Sequence, residues 1–267
     1  MPKLNINGVN IYYEVKGKED GESVVFLNGV MASTNSWAFQ VPVFEKEFKV
    51  VLHDFRGQLL SDKPKGPYTF KTHADDLKAL LDHLGIEKAH IIGTSYGGEV
   101  GMRFAIDYPD MVKTLSIIDS VSEVDELLKM FVIQWKMLAQ TKNPELFYYG
   151  MLPSIYGNTF IEKNKAILEQ RAKGLASVDP SYFDGQVALY DTFLNLNITD
   201  ELKKIKAPTI VVVGNEDFLK RKKFSDIIAK NIPNCEYVII PDCGHVTIFE
   251  KPNTLNTILL GFVMKNL

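Results

Sequence analysis

The feature that constrains the fold of this chain most is a repeated alternation of short, continuous apolar runs with segments of helical periodicity. The apolar runs lie at residues 24–27, 50–52, 89–93, 114–118, 208–214 and 237–240, after a β-rich run at 10–15. The segments with helical spacing lie at residues 72–84, 98–108, 224–229 and 254–263. Continuous apolar runs are typical of strands buried on both faces. Strands that alternate with helices predict an α/β fold, a mostly parallel sheet with helices on both faces.

The alternation stops between about residues 120 and 200. Helical stretches rich in aromatic residues and methionine occupy this region, and prolines separate them. We therefore predict a core made of residues 1–120 and 201–267, with a helical insertion at 121–200. Ligands of open α/β sheets bind beyond the carboxyl ends of the strands, so a site is expected at that edge of the sheet.

Composition and charge exclude several classes of protein. The 267 residues carry a formal net charge of -3, with 46% hydrophobic and 24% charged residues, which is the balance of a globular protein. Lysine and arginine form no extended cluster, so no nucleic-acid partner is expected. No run of about 18 apolar residues is present, so no membrane span is expected.

Cysteine usage and the first residues bear on the cellular compartment. Cys235 and Cys243 would lie about 26 Å apart along one extended strand, at about 3.3 Å per residue, which is too far for a disulfide. The first residues contain no apolar signal-peptide core. Two free thiols and no export signal favour a cytoplasmic protein.

The sequence GTSYG at residues 93–97 matches the pattern G-x-S-x-G between a predicted strand and a predicted helix, the context that a nucleophile elbow requires. A sharp strand-to-helix turn brings the ends of this motif together, and glycine at both ends avoids a clash of Cβ atoms. The pattern predicts Ser95 as an exposed nucleophile. Two alternatives are a tight glycine-rich turn with an uninvolved serine and a dinucleotide-binding turn. The second requires G-x-G-x-x-G, and Ser95 occupies its second glycine position.

A serine nucleophile needs a base within hydrogen-bond reach. His245 follows the last predicted strand and is the candidate base, with Asp217 as the acid that orients it, in the chain order Ser, Asp, His. Glu216 and Asp119 are alternative acids. Structural or solvated roles are expected for the other four histidines, His53, His73, His83 and His90. The predicted catalytic residues are thus Ser95, His245 and Asp217.

The oxygen anion of a tetrahedral intermediate needs two N–H donors. The amide of Tyr96, which directly follows the nucleophile, is the first candidate. The amide of Val30, in the turn after the apolar run at 24–27, is the second, with Met31 as its alternative.

Together these motifs resemble the α/β-hydrolase superfamily, in the group with a helical cap between the sixth and seventh strands. The resemblance covers essentially the full length. It rests on LNG at residues 27–29, DFRG at 54–57 followed by SDKP at 61–64, the elbow, the acid loop at 214–217, and Gly244-His245. It implies an eight-stranded sheet and similarity to esterases, to lactonases such as 3-oxoadipate enol-lactonase, and to perhydrolases.

Two positions depart from the pattern of that superfamily. Asn28 replaces the common histidine, and the resemblance to lactonase-like members implies that its side chain braces the oxyanion loop. Leu59 stands where a glycine is usual in the loop after Arg56-Gly57, which bears on the shape of this second loop and not on the triad. Serine at the elbow also argues against dehalogenase chemistry, which uses an aspartate there.

The resemblance implies hydrolysis of a small-molecule carboxylic ester or lactone through an acyl-enzyme, with no metal or organic cofactor. C–C or amide cleavage on the same triad stays open, as does a receptor-like protein that binds a ligand without turnover. Most aromatic and methionine side chains of the insertion are expected to be core, and the others to line an apolar pocket. The predicted substrate-binding residues are Asn28, Met31, Phe131, Trp135, Met151 and Val246.

Overall fold

The computed structural model describes residues 3–267, which fold around one eight-stranded sheet. The strands are β1 (Lys3–Ile6), β2 (Val9–Gly17), β3 (Ser23–Leu27), β4 (Lys49–His53), β5 (Ala89–Thr94), β6 (Val112–Ile118), β7 (Thr209–Gly214) and β8 (Cys235–Ile240). Their order across the sheet is β1-β2-β4-β3-β5-β6-β7-β8. The first two pairs are antiparallel and the other five are parallel. The predicted mostly parallel α/β sheet is confirmed.

Helices follow most of the strands. They are α1 (Val41–Phe44), α2 (Phe70–His83), α3 (Tyr96–Asp107), α4 (Glu126–Gln140), α5 (Pro144–Ile155), α6 (Asn158–Lys163), α7 (Lys165–Leu175), α8 (Ser181–Phe193), α9 (Lys222–Asn231), α10 (Thr247–Glu250) and α11 (Pro252–Lys265). Short 3-10 segments lie at Thr34–Trp37, Pro109–Met111 and Thr199–Lys204.

Two apolar layers, one on each face of the sheet, form the core. Alternate residues of β3 point to opposite layers, with Val25 and Leu27 in one and Val24 and Phe26 in the other. The first layer includes apolar residues of α2, α3 and α9, and the second includes those of α1 and α11. Helices therefore cover both faces, as the continuous apolar runs predict.

The sequence did not predict β1, the first edge strand. Two of its four residues, Lys3 and Asn5, are exposed, and it contains no continuous apolar run. Asn7 and Gly8, both at positive φ, turn the chain back so that β1 pairs with β2. Hydrogen bonding to β2 therefore accounts for this short strand, and a pattern of apolar residues does not.

Five helices, α4 to α8, lie between β6 and β7, in the region where the sequence predicted a helical insertion. An antiparallel bridge between Glu123 and Asn197 joins the two ends of this segment. Inside it, Trp135 packs against Tyr190 and Phe147 packs edge-on against Phe183. The aromatic residues of the insertion thus form much of its own core.

No helix within residues 3–267 has the length and apolarity needed to cross a membrane. Cys235 and Cys243 are both free thiols. Burial raises the pKa of Cys235 to about 11 and raises that of Cys243 further. Cys235 is half-buried and Cys243 is buried, and a thiol that keeps its proton is a poor nucleophile.

Candidate active site

Ser95 lies in a sharp turn between β5 and α3. Its backbone adopts φ 52° and ψ -122°, a region that residues with a side chain rarely occupy. A Cβ atom on Gly93 would overlap the carbonyl group of Gly97, and one on Gly97 would overlap that of Leu27. The backbone therefore requires glycine at both ends of the G-x-S-x-G motif.

The structure brings Ser95, His245 and Asp217 together, although they are far apart in the sequence. Nε2 of His245 lies 2.9 Å from Oγ of Ser95, and Nδ1 of His245 lies 2.8 Å from Oδ2 of Asp217. Each residue follows the carboxyl end of a parallel strand, β5, β8 and β7 respectively. All three are buried, so the chain of hydrogen bonds is shielded from bulk water.

The loop after β7 fixes the Asp217 carboxylate. Its Oδ1 accepts hydrogen bonds from the backbone N–H groups of Leu219 at 2.9 Å and Lys220 at 2.8 Å. This leaves Oδ2 for the imidazole of His245. The carboxylate is thus held on the acid loop before any ligand binds.

The two alternative acids contact other groups. Glu216 accepts hydrogen bonds from the backbone and the hydroxyl of Thr159, at 2.9 and 2.6 Å. Asp119, fully buried after β6, accepts from the N–H of Gly214 at 3.0 Å and from the hydroxyl of Thr247. Among residues 3–267, Asp217 is the acid that is hydrogen-bonded to the His245 ring.

The surroundings of His245 raise the pKa of its ring. Burial alone would lower this pKa, but the charge of Asp217 and its hydrogen bond outweigh burial. A neutral His245 that donates from Nδ1 to Asp217 has a free lone pair on Nε2. That nitrogen can accept the hydrogen bond of the Ser95 hydroxyl.

The insertion holds the loop that carries His245. The backbone N–H of His245 donates to the carbonyl oxygen of Ile155 at 2.9 Å. The buried Glu250 carboxyl accepts from the N–H of Gly244 at 2.7 Å and of Gly157 at 3.3 Å, and burial raises its pKa. The position of the imidazole therefore depends on the segment that follows α5.

The neighbours of the other four histidines indicate structural or solvent-exposed roles. Burial lowers the pKa of His53 to about 4 and that of His73 to about 3, so both rings are neutral. The hydroxyl of Tyr96 lies 2.9 Å from Nε2 of His73. His90 is buried in β5 and His83 is exposed on α2.

The loop after β3 lies beside Ser95. A Cβ atom on Gly29 would be 3.5 Å from Cβ of Ser95, and the next two residues, Val30 and Met31, line the same cavity as Ser95. Gln58 braces this loop, because its Nε2 donates to the carbonyl oxygen of Gly29 at 2.8 Å. Sequence reasoning missed Gln58, whose role depends on a loop 29 residues away.

Asn28 was predicted to bind substrate, and this prediction needs correction. Its side chain is fully buried and does not line the cavity. Nδ2 donates to the carbonyl oxygen of His53 at 2.8 Å and lies 3.1 Å from Oε1 of Gln58, while Oδ1 accepts from the indole N–H of Trp37 at 2.9 Å. Asn28 thus holds the loop after β3 in place and does not face the cavity.

A cavity of about 340 Å³ opens beside Ser95 and His245. Three of the predicted substrate-binding residues, Met31, Trp135 and Val246, line it. Further apolar lining comes from the insertion, through Leu152, Ile155, Leu175 and Val178. The lining is mostly apolar, as expected of a site for a small organic molecule.

Phe131 and Met151, also predicted to bind substrate, do not line the cavity. Met151 is fully buried, with its sulfur 3.7 Å from the hydroxyl of Tyr190. Phe131 lies one helical turn before Trp135 on α4 and packs against the core of the molecule. Both side chains support the insertion and do not face the ligand space.

The arrangement places an alcohol oxygen, an imidazole and a carboxylate in one buried line of hydrogen bonds. Such a line can deprotonate the alcohol and stabilise the imidazolium that results. Within residues 3–267 no group of three or more histidine, cysteine, aspartate or glutamate side chains is arranged to hold a metal ion.

Comparison with known proteins agrees with this architecture. Residues 22–252 match the family described as alpha/beta hydrolase fold. RutD of Azorhizobium caulinodans, which is named for carbamate hydrolysis, is 26% identical over 265 residues, 98% of each chain. 3-Oxoadipate enol-lactonase 2 of Acinetobacter baylyi is 24% identical, over 95% of this chain and 92% of its own.

Among solved structures, MGS-M2, an alpha/beta hydrolase enzyme from a Medee basin deep-sea metagenome library, is 31% identical with a TM-score of 0.94. The alignment covers 98% of this chain and 97% of that one. A family match that spans most of the sequence and a neighbour that superposes over nearly its full length agree on the fold and on the class of enzyme. The chain is a hydrolase that belongs to the alpha/beta hydrolase fold family.

Proposed function

We propose that the chain hydrolyses a carboxylic ester or a lactone through an acyl-enzyme, with Ser95 as nucleophile, His245 as base and Asp217 as the acid that orients it. The observation that carries this proposal is the distance of 2.9 Å between Oγ of Ser95 and Nε2 of His245, at the wall of a mostly apolar cavity. An imidazole at hydrogen-bond distance is what activates a serine hydroxyl at neutral pH.

In the first half of the reaction, Nε2 of His245 takes the Ser95 proton while Oγ attacks the carbonyl carbon. Asp217 stabilises the imidazolium that forms. The oxygen anion accepts hydrogen bonds from the backbone N–H groups of Val30 and Tyr96. His245 then gives its proton to the leaving alcohol, which in a lactone stays attached to the acyl chain.

In the second half, a water molecule replaces the alcohol. His245 takes a proton from the water as its oxygen attacks the acyl carbon. The C–O bond to Ser95 then breaks and Oγ takes the proton back from the imidazolium. The raised pKa of His245 favours this reversible storage of a proton.

The relatives support attack on an acyl carbon without fixing the substrate. One is named for carbamate hydrolysis and another is an enol-lactonase. Carbamates and lactones share a carbonyl carbon that is bonded to a heteroatom, and this heteroatom is the leaving group in hydrolysis. The apolar lining of the cavity favours a substrate with a hydrocarbon body around that carbonyl group.

The test is turnover of p-nitrophenyl acetate by purified variants. Ser95→Ala and His245→Ala should each lower kcat by about 10⁴-fold or more, with an unchanged circular dichroism spectrum. Ser181→Ala, which removes an exposed hydroxyl outside the cavity lining, serves as the matched control. Turnover that persists in Ser95→Ala would reject the proposal.

Labelling separates an enzyme from a protein that binds a ligand without turnover. A fluorophosphonate should label Ser95 of the wild type at neutral pH, because the probe reacts with an activated serine. His245→Ala should abolish the labelling. A wild type that resists the probe would favour a binding protein.

A further inference from the structure

One cationic side chain stands on the lining of the active-site cavity. Arg171, on α7, is the only lysine or arginine among the residues that line it in the described part of the chain. The other lining residues of the insertion are apolar or tyrosine. Arg171 forms no ion pair with a carboxylate among residues 3–267, and its charge is therefore not neutralised by a neighbour.

The guanidinium is held in a defined orientation. Its carbon lies 3.4 Å from the ring centroid of Phe249, so the cation covers the face of that ring. Nη1 donates to the hydroxyl of Tyr156 at 3.0 Å. Tyr156 in turn stacks on Phe160 at 5.5 Å between centroids. Aromatic groups thus fix the plane of the guanidinium before a ligand binds.

Most of the hydrogen-bonding capacity of Arg171 is unused within the protein. A guanidinium has five N–H donors in a planar fork, and one hydrogen bond, to Tyr156, is present among the described residues. Arg171 is also exposed, at a part of the cavity that solvent reaches. A planar fork of this kind matches the two oxygens of a carboxylate.

A purely structural role is the alternative. Arg171 lies on α7 and Phe249 lies on α10, so the stacked pair also links the insertion to the loop of His245. Such a link needs the long side chain and the stacking, but it does not need a ligand with a negative charge. The two roles therefore differ in their effect on substrate selectivity.

We infer that Arg171 binds a carboxylate of the substrate, so that the natural substrate is an ester or lactone that carries a second, ionised carboxyl group. This inference rests on the proposed function. The apolar wall holds the hydrocarbon part, the scissile carbonyl lies at Ser95, and the free carboxylate lies against the guanidinium. A neutral substrate leaves the fork without a partner inside the cavity.

The experiment compares monomethyl glutarate with its amide, in which a carboxamide of the same shape replaces the free carboxylate. Hydrolysis of the methyl ester is followed by proton release. The wild type should prefer the carboxylate in kcat/KM, and Arg171→Gln should lower this preference by about 10- to 100-fold. Arg171→Lys should keep part of the preference, because it keeps the charge and loses the fork.

Lys173→Gln is the matched control, since it removes the same charge from the same helix outside the cavity lining. It should keep the wild-type preference. An equal preference in the wild type and Arg171→Gln, or a wild type that prefers the amide, overturns the inference. Ester hydrolysis that continues in either case leaves the proposed function standing.

Binding gives a second measurement that needs no turnover. In Ser95→Ala, monomethyl glutarate should change the fluorescence of Trp135, which lines the cavity. Adding Arg171→Gln should weaken this binding by about 10-fold or more, while the amide should bind both proteins equally. Binding of the carboxylate that is independent of Arg171 would overturn the inference even if the enzyme hydrolysed no ester.

Discussion

Lys220 and Glu99 form an ion pair directly behind the Asp217 loop. Nζ of Lys220 lies 2.8 and 2.9 Å from the two carboxylate oxygens of Glu99, and both side chains are buried. The backbone N–H of Lys220 donates to Asp217, and the N–H of Glu99 donates to the carbonyl oxygen of Ser95. The pair therefore joins the loop of Asp217 to the helix that follows Ser95.

The first prediction concerns the stability that this pair confers. Glu99→Gln and Lys220→Met should each lower the free energy of unfolding by about 3–5 kcal/mol, because each leaves a buried charge without its partner. The double variant should lose much less than the sum, since no unpaired charge remains. Urea unfolding of the four proteins measures the coupling. Additive losses would show that the two charges do not depend on each other.

The second prediction concerns the pH dependence of kcat/KM. The negative charge of Asp217 raises the pKa of His245, and the positive charge of Lys220 lowers it. In the proposed mechanism His245 acts as a base and must be neutral, so kcat/KM should rise with pH as the ring loses its proton. Lys220→Met removes a positive charge and should move this rise to higher pH.

A variant of the other member of the ion pair, Glu99→Gln, is the control for that shift. Glu99→Gln keeps the ammonium group and removes the carboxylate that offsets it, so the rise should move to lower pH. A role of the ion pair in stability alone would lower activity at all pH values without moving the rise. Shifts in the same direction for both variants would contradict the electrostatic explanation.

The third prediction separates the oxyanion loop from the substrate pocket. Gln58→Met removes the donor to the Gly29 carbonyl at nearly constant volume. In the proposed mechanism the amide of Val30 donates to the oxygen anion, and this variant removes its fixed direction. We therefore expect kcat to fall by about 10- to 100-fold with little change in KM, because the proposed interaction acts in the transition state. Gln134→Met, an exposed change on α4, should leave both constants unchanged. A rise in KM at constant kcat would argue for a role of Gln58 in binding.

The fourth prediction tests the close approach of the insertion to the loop of His245. A Cβ atom on Gly244 would overlap the backbone nitrogen of Gly157. Gly244→Ala should therefore displace His245, and a displacement of about 1 Å costs about 100-fold in kcat/KM. Gly261→Ala, on α11 with no atom within 4 Å of the new Cβ, should keep activity and stabilise the fold by about 0.5–1 kcal/mol. Full activity in Gly244→Ala would show that the loop can move without harm.

The sequence predicted the parts of this site that follow strand ends. Ser95, Asp217 and His245 each lie in the turn or loop that follows an apolar run, and parallel strands bring their carboxyl ends to one edge of the sheet. The G-x-S-x-G pattern could be recognised because the backbone leaves no room for a Cβ atom at Gly93 or Gly97. Local pattern and topology together were sufficient for these positions.

Residues whose roles depend on packing between distant segments could not be predicted. Three polar residues illustrate this: Gln58, Lys220 and Arg171. Only the folded chain shows that they contact, respectively, the carbonyl group of Gly29, the carboxylate of Glu99 and the active-site cavity. Phe131 and Trp135 lie one turn apart on the same helix, yet only Trp135 lines the cavity. Periodicity finds the apolar face of a helix and does not say which neighbour that face meets.

The last prediction concerns stability as a function of pH. Burial, and then the charge of Asp217, raise the pKa of Asp119 to about 8. The folded state therefore binds this proton more tightly than the unfolded chain does, and the contribution of Asp119 to stability is lost as pH rises from about 4 to about 8. Asp119→Asn cannot ionise, and its amide oxygen can still accept from the N–H of Gly214. Urea unfolding between pH 5 and pH 8 should show Asp119→Asn gaining at least about 1 kcal/mol on the wild type as pH rises. A constant difference across this range would mean that Asp119 does not titrate there.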